Sequence, residues 1–415
     1  MKYTDFFSRK IAKGAAFFNR EEQRRTLMVE LSSSSSVWLS GERRVGKTSV
    51  AINVCSELSA TPERFDLDCF AWSECDISSC ATIDAVKRKI LHTIAEAASQ
   101  ISSKDSKAIE RLKNLFSRFD PELVLGGKDM AKLSLKLKPQ VSMENPLREA
   151  ITALDELATK QNAKAVLIVD EFQTLAEIKQ DEGEKVEWDI RAALQHSEHI
   201  AMVFAGSKRR MMSDIFLSKN RGLYGMCRRV KVFGLPEKDC LAHLLTAATH
   251  CKFSFEDDAF QTIYELTGGH PRDFSHLCLQ VFENATFSED KPKHISSSLV
   301  ESSWGHYVQE VVIDEVNAML KEKLNGNKRA EVATLQAIAH TRPSKIRSAE
   351  FAMLVGLTST PIAGAVKNLE EQGIIREEGK RWILCEPSYE AALKIISEFH
   401  FDSELISKVI IASEE

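Results

Sequence analysis

The sequence predicts an α/β protein in which helices cover both faces of a parallel sheet, followed by a helical segment and a C-terminal module of three helices and a hairpin. Three observations carry this. First, the short apolar run Val37-Trp38-Leu39-Ser40 leads through the glycine-bounded stretch 41–48 into the helix-like residues 49–58, which is the order strand, loop, helix. Second, Ala165-Val166-Leu167-Ile168-Val169 and Ile200-Ala201-Met202-Val203-Phe204-Ala205 are unbroken apolar runs. Such runs read as strands buried on both faces, as in a parallel sheet. Third, residues 331–339, 348–355 and 358–372 carry helical apolar patterns, and 374–383 reads as a hairpin around Glu378-Gly379. Thr358, Ser359 and Thr360 supply an N-cap for the third of these helices, and Pro361 suits its first turn.

Bulk properties narrow the function classes. A chain of 415 residues exceeds what one hydrophobic core usually organises, so several domains are expected. With 43% apolar and 28% charged residues the composition is that of a globular protein, and no apolar run reaches the length of a membrane span. Residues 1–16 show no secretory leader pattern. The nine cysteines have no paired C-x-x-C spacing for zinc, which fits reduced thiols and a cytoplasmic location. The net charge of −5 excludes a global positive field, so any nucleic-acid contact has to be local.

The loop Gly41-Glu42-Arg43-Arg44-Val45-Gly46-Lys47-Thr48 matches G-x-x-x-x-G-K-[ST] in the strand-to-helix context that this motif requires. Its backbone N–H groups can turn inward around phosphates, and the following helix N-terminus adds partial positive charge. Gly41, Arg43, Arg44, Val45, Gly46, Lys47, Thr48 and Ser49 are therefore the expected nucleotide-binding set for ATP. Lys47 would reach the β and γ phosphates and Thr48 would ligate Mg²⁺. At the carboxyl end of the 165–169 strand, where open α/β sheets bind ligands, Asp170 would hold the magnesium and Glu171 would activate the attacking water. Ser207, closing the 200–205 strand, can sense the γ phosphate or simply cap the next helix. In the basic stretch Lys208, Arg209, Arg210, Arg221, Arg228 and Arg229, Arg221 is best placed to reach a neighbouring subunit's nucleotide; the competing reading is a solvated surface. Residues 237–286 read as helices interrupted at Thr267-Gly268-Gly269-His270-Pro271-Arg272. Arg272 could aim at the γ phosphate from this turn, or pair with a surface acid such as Asp273.

With these residues placed, the chain resembles the archaeal-type ATPases of the AAA+/STAND group, relatives of the origin-recognition initiators. The resemblance rests on Phe18-Asn19-Arg20-Glu21, the 41–48 loop, Val169-Asp170-Glu171-Phe172-Gln173, Phe204-Ala205-Gly206-Ser207 with Met211-Met212 and Ile215-Phe216, Arg221-Gly222-Leu223-Tyr224-Gly225 and Gly268-Gly269-His270-Pro271. It implies an AAA+ type αβα P-loop ATPase core over 1–235, a helical lid over 236–300, a connecting helix over 301–328, a winged helix over 329–400 and a tail over 401–415. It also implies that Phe18, Asn19 and Arg20 lie near the adenine and that Pro271 belongs to the nucleotide site. One departure stands out, because Gly222 occupies a position that in such proteins is commonly proline.

In a winged helix the third helix and the wing would meet DNA through Lys367, Arg376, Lys380 and Arg381. Docking on protein, or autoinhibition, competes evenly with that, since Glu370 and Glu371 follow Lys367 and the module is near neutrality. Two outputs therefore stay open: an ATP-driven switch on DNA that assembles as a homo-oligomer, and a signalling ATPase that controls a separate effector protein. Trp304, Val308, Val312, Val316 and Leu320 form an amphipathic stripe expected to pack between domains. Residues 32–36 read as a turn into the first strand, and the insertion 101–145, strand-like at 131–137, carries no assignable chemistry.

Overall fold

The apolar runs singled out above become strands of one sheet. The computed structural model describes residues 2–101, 146–178, 180–289, 292–396 and 402–413, so the strand expected at 131–137 lies outside the described residues. The chain divides into two units, one formed by Arg20–Gly41 and Lys47–Val232, the other by Met1–Asn19, Glu42–Gly46 and Phe233–Glu415.

In the first unit, strands β1 (Val37–Ser40), β2 (Cys69–Asp76), β3 (Ala163–Asp170), β4 (Ile200–Ala205) and β5 (Arg228–Lys231) lie in the order β2-β3-β4-β1-β5. Every neighbouring pair is parallel, as the all-apolar strands required. Val169 pairs with Phe204 and Leu39 with Ala205, which brings the carboxyl ends of β1, β3 and β4 level at one edge. Helices Ile83–Gln100 and Pro146–Lys160 pack on β2 and β3 through fully buried Ile90, Ile94, Ile151 and Leu154. Each such side chain contributes about 1.5–3 kcal/mol by leaving water. Trp38, Phe172, Phe204 and Phe216 fill the core beside β4, with Phe172 and Phe204 centroids 4.6 Å apart.

The second unit is helical. Helices Glu237–Cys251, Ala259–Thr267 and Pro271–Phe287 form the lid region, and the first residues of the chain pack there. Phe7 meets Phe274 edge-on and the Phe6 ring stacks on His250. These contacts explain why residues 1–19 group with the lid and not with the sheet. Helix Ser297–Tyr307 runs through one π-turn, Val308–Val312, into Ile313–Asn325. The stripe Trp304, Val308, Val312, Val316 and Leu320 is buried along its length, so it is core. Helices Arg329–Thr341, Ala349–Val355 and Ser359–Glu371 precede the antiparallel hairpin Ile375–Glu378 and Arg381–Leu384, and this is a winged helix. A buried polar knot ties it to the connecting helix: Lys323 Nζ donates to Glu331 Oε2 at 2.7 Å and to Gln372 Oε1 at 2.6 Å, and Asn368 donates to Glu331 Oε1 at 3.1 Å. In the tail, Ser403–Ala412 is a helix packed on Arg329–Thr341 and Ala349–Val355. Among the described residues no single helix is long and apolar enough to cross a membrane.

Candidate nucleotide site

In the first unit, β1 ends at Ser40 and helix Lys47–Ala60 begins with the two residues the motif singled out. Lys47 is 6% exposed, and its ammonium donates to the Gly41 carbonyl at 3.2 Å, folding back over the mouth of the loop. The Thr48 hydroxyl donates to a carboxylate oxygen of Asp170, while the other oxygen accepts the Glu171 N–H at 2.9 Å. Burial raises the Asp170 pKa, and the neighbouring Glu171 adds to this against the hydrogen bond from Thr48. A desolvated carboxylate beside a hydroxyl is a hard-oxygen pair that a divalent cation relieves, so Thr48 and Asp170 fit Mg²⁺. Ser49 lies a residue further along the same helix and gives its carbonyl to Asn53.

Glu171 adopts φ 54°, a left-handed conformation unusual for this residue type, directly after β3. Such a backbone persists where surroundings impose it. Here Phe172 N–H donates to the Ala205 carbonyl at 2.9 Å, pinning the chain to the end of β4. The Glu171 carboxylate accepts from Ser207 Oγ at 2.7 Å and from the Gln173 amide. Ser207 thus faces the same oxygen as Gln173, and its role as a mere helix cap is not seen: Lys208 is the N-cap of Arg209–Leu217. Gln173 is 2% exposed, and Gly206 makes room for it, since a Cβ there would lie 2.2 Å from Gln173 Oε1. Within the motif Val169-Asp170-Glu171-Phe172-Gln173, residue type and spacing alone assign Gln173 no role. The signal was its place two residues after the carboxylate it holds.

Arg221 departs from the expectation of an outward-reaching arginine. It is 7% exposed, its Nε donates to Glu187 Oε2 at 3.0 Å, its Nη2 pairs with Glu187 Oε1, and Glu187 is fully buried. Gly222 follows because a Cβ would sit 2.7 Å from the Glu187 backbone. This close approach accounts for glycine where the resemblance leads one to expect proline. Arg20, at the start of helix Glu21–Ser32, is buried with φ 78°.

The second unit holds the tip of the loop. Arg44 has φ 60° and Val45 is 2% exposed. Arg44 Nη1 donates to Glu386 Oε2 at 2.7 Å, to the Tyr389 hydroxyl at 3.1 Å and to Glu315 Oε2 at 3.2 Å. Arg272 pairs with the same two carboxylates, through Nη2 to Glu315 and through Nη1 to Glu386 at 3.4 Å. Its partners are thus Glu315 and Glu386, not Asp273. Pro271 starts the helix that carries Arg272, and His270 before it contacts the Arg43 carbonyl at 3.3 Å and Asp273 at 3.5 Å. Asp273, fully buried, also accepts from Ser388 N at 3.0 Å, Ser388 Oγ at 2.8 Å and Tyr307 at 3.3 Å. No sequence pattern signals this hub, because Tyr307 and Ser388 lie 34 and 115 positions beyond Asp273. Phe18 lies flat on His243, centroids 3.7 Å apart, and the Asn19 amide donates to Asp239. Lys367 on the third helix and Lys380 and Arg381 on the wing are exposed, but Arg376 is not offered to solvent phosphates: it donates to Glu42 Oε2 at 2.7 Å and Glu378 Oε1 at 3.0 Å.

A five-stranded parallel sheet in this order, with a glycine-bounded loop after β1, Asp-Glu closing β3 and a serine beyond β4, defines an AAA+ P-loop fold. The family model "Nephrocystin 3, N-terminal" matches residues 13–188. A Walker-type ATPase of Pyrococcus abyssi superposes with TM-score 0.63 at 18% identity, covering 91% of this chain and 96% of its own. The ORC2 protein of Aeropyrum pernix, solved as ADPNP and ADP complexes, gives TM-score 0.59 at 14% identity, covering 100% of this chain and 98% of its own. No curated protein sequence matches the chain. This chain shares its fold with these two solved structures over nearly its whole length.

Proposed function

We propose that the chain binds ATP with Mg²⁺, hydrolyses it, and uses the cycle as a switch that acts on DNA through its winged helix. The observation that carries this is the gathering of Lys47, Thr48, Asp170, Glu171 and Ser207 at one edge of the sheet. The backbone of 41–48 cradles the phosphates and Lys47 supplies the neutralising charge. Thr48 and Asp170 would hold Mg²⁺, which would supply positive charge against the phosphates. Glu171 accepts the proton of the attacking water while Ser207 and Gln173 fix which way its carboxylate faces. Arg272 meets the γ phosphate from the lid once its own carboxylate partners let go. Exposed Lys380, Arg381 and Lys367 meet DNA phosphates, modestly and locally given the chain's net charge.

A second reading, control of an effector protein without DNA, is favoured by one observation: the wing's Arg376 is bound to Glu42 and not displayed. Filter binding of duplex DNA with and without ATP separates the two. The ATPase reading is tested with Lys47→Ala and Glu171→Gln. Lys47→Ala is expected to lose ATP binding, and Glu171→Gln to retain it while turnover falls by about a hundredfold or more. Normal turnover by Glu171→Gln would refute the assignment of the base.

A further inference from the structure

The tip of the phosphate loop and the start of the lid helix share one pair of acids. Arg44 and Arg272 both contact Glu315, on the connecting helix, and Glu386, just after the wing. Tyr389 closes the ring: its hydroxyl donates to Glu315 Oε2 at 2.8 Å, and Arg44 lies 5.6 Å over its aromatic face. Glu386 and Arg272 are 6% and 14% exposed at their side chains, while Arg44 and Glu315 keep 28% and 31%, so the cluster is partly withdrawn from solvent and partly screened. Among these residues, two positive and two negative charges cancel.

Resting on the ATPase reading above, we infer that Glu315 and Glu386 set the nucleotide affinity of this site by occupying the two arginines that the phosphates need. Carboxylate and phosphate are both oxygen-bearing anions recognised by the same guanidinium geometry, so they are direct competitors for Arg44 and Arg272. Arg44 belongs to the loop that cradles the phosphates, and Arg272 is the lid arginine. Neither can turn to a phosphate without breaking a charge-assisted hydrogen bond to the acids. A triphosphate held by the loop offers both arginines several anionic oxygens in place of the two carboxylates and draws them off; without nucleotide the loop stays latched. Glu315 and Glu386 lie on the connecting helix and directly after the wing, so release of the arginines also frees those two segments from the loop. Nucleotide occupancy is thereby coupled to the winged helix through named side chains.

The test uses the full chain and fluorescent ATP. Glu315→Gln combined with Glu386→Gln keeps size and hydrogen bonding but removes both charges, and is expected to bind ATP about tenfold more tightly. Glu315 is the more exposed acid, so Glu315→Gln alone is the safeguard against a folding defect and is expected to shift affinity in the same direction by a smaller factor. Amide exchange without nucleotide supplies an independent readout: both variants are expected to speed exchange at residues 42–46. Faster exchange together with tighter ATP binding supports the latch. Unchanged exchange overturns it, and so does unchanged or weaker ATP binding by a folded variant. A wild-type chain that binds no ATP refutes the ATPase reading and the competition with it, whereas failure of the latch alone leaves Lys47-dependent binding intact.

Discussion

Arg221 and Glu187 are joined inside the first unit by a bidentate pair, and Glu187 has no exposed surface. Replacing Arg221 with alanine leaves a buried carboxylate without its cation, a loss of about 3–5 kcal/mol. Urea unfolding of Arg221→Ala is therefore expected to show this destabilisation. Arg221→Lys should recover little of it, because an ammonium cannot span both oxygens as the planar fork does. If the substitution instead left stability untouched and abolished turnover only in concentrated protein, Arg221 would be acting on a neighbouring subunit after all. The motif made Arg221 legible as a special residue but not its direction. Its partner is 34 positions upstream, and nothing in the spacing of the two reveals that a helix and a glycine-relieved loop bring them together. Lys47, Thr48, Asp170 and Glu171 were legible because loop, strand end and chemistry are contiguous in sequence. Gln173 was legible only as a letter in a motif, since its task depends on Gly206 across the sheet.

At the scale of an element, the turn into helix Pro271–Phe287 is held by His270 and Asp273. Burial alone would lower the His270 pKa, but Asp273 beside it, with Glu386 and the Arg43 carbonyl, raises it above the ordinary 6.5. Burial would raise Asp273, yet His270 and Ser388 hold it below the ordinary 3.8. A raised histidine pKa contributes stability that is complete below the unfolded value and lost as pH rises through the folded one. A lowered aspartate pKa contributes stability that is complete above the unfolded value and lost as pH falls through the folded one. The pair therefore stabilises most between 3.8 and 6.5. The stability gap between wild type and His270→Gln, measured by urea unfolding, is expected to be widest between 3.8 and 6.5 and to narrow as pH rises through the raised folded-state pKa of His270. A gap independent of pH would mean that His270 is neutral in the folded chain. Among the strands, β1, β3 and β4 were legible as apolar runs, whereas β2 was not. β2 is an edge strand with one neighbour, β3, where Glu74 is exposed, and its Ser73 is buried with its hydroxyl donating to the Thr93 carbonyl at 2.6 Å.

For the whole molecule, the sequence made the order of modules readable but not which residues of the early chain belong to which unit. Phe6, Phe7 and Phe18 join the lid through ring contacts with His243, His250 and Phe274, more than two hundred residues away. The net charge of −5 decides how the winged helix can work. A chain that repels polyanions overall binds DNA only where a few cations outweigh the field, and salt then weakens it steeply. Lys380 and Arg381, on the exposed turn of the wing, are free of the ion pair that occupies Arg376. Replacing both with alanine removes at most two phosphate contacts, so the slope of log affinity against log salt is expected to flatten by about 1.8. Phosphate contacts carry no sequence information, so binding should weaken equally on unrelated duplexes. Basal ATP turnover should stay near wild type, because neither residue belongs to the set gathered around Lys47 and Glu171. Titrating labelled duplexes of two unrelated sequences at several salt concentrations measures both quantities at once. Loss confined to one sequence would instead make the wing a reader of base edges, and an unchanged slope would move the contact away from the wing and support the protein-effector reading.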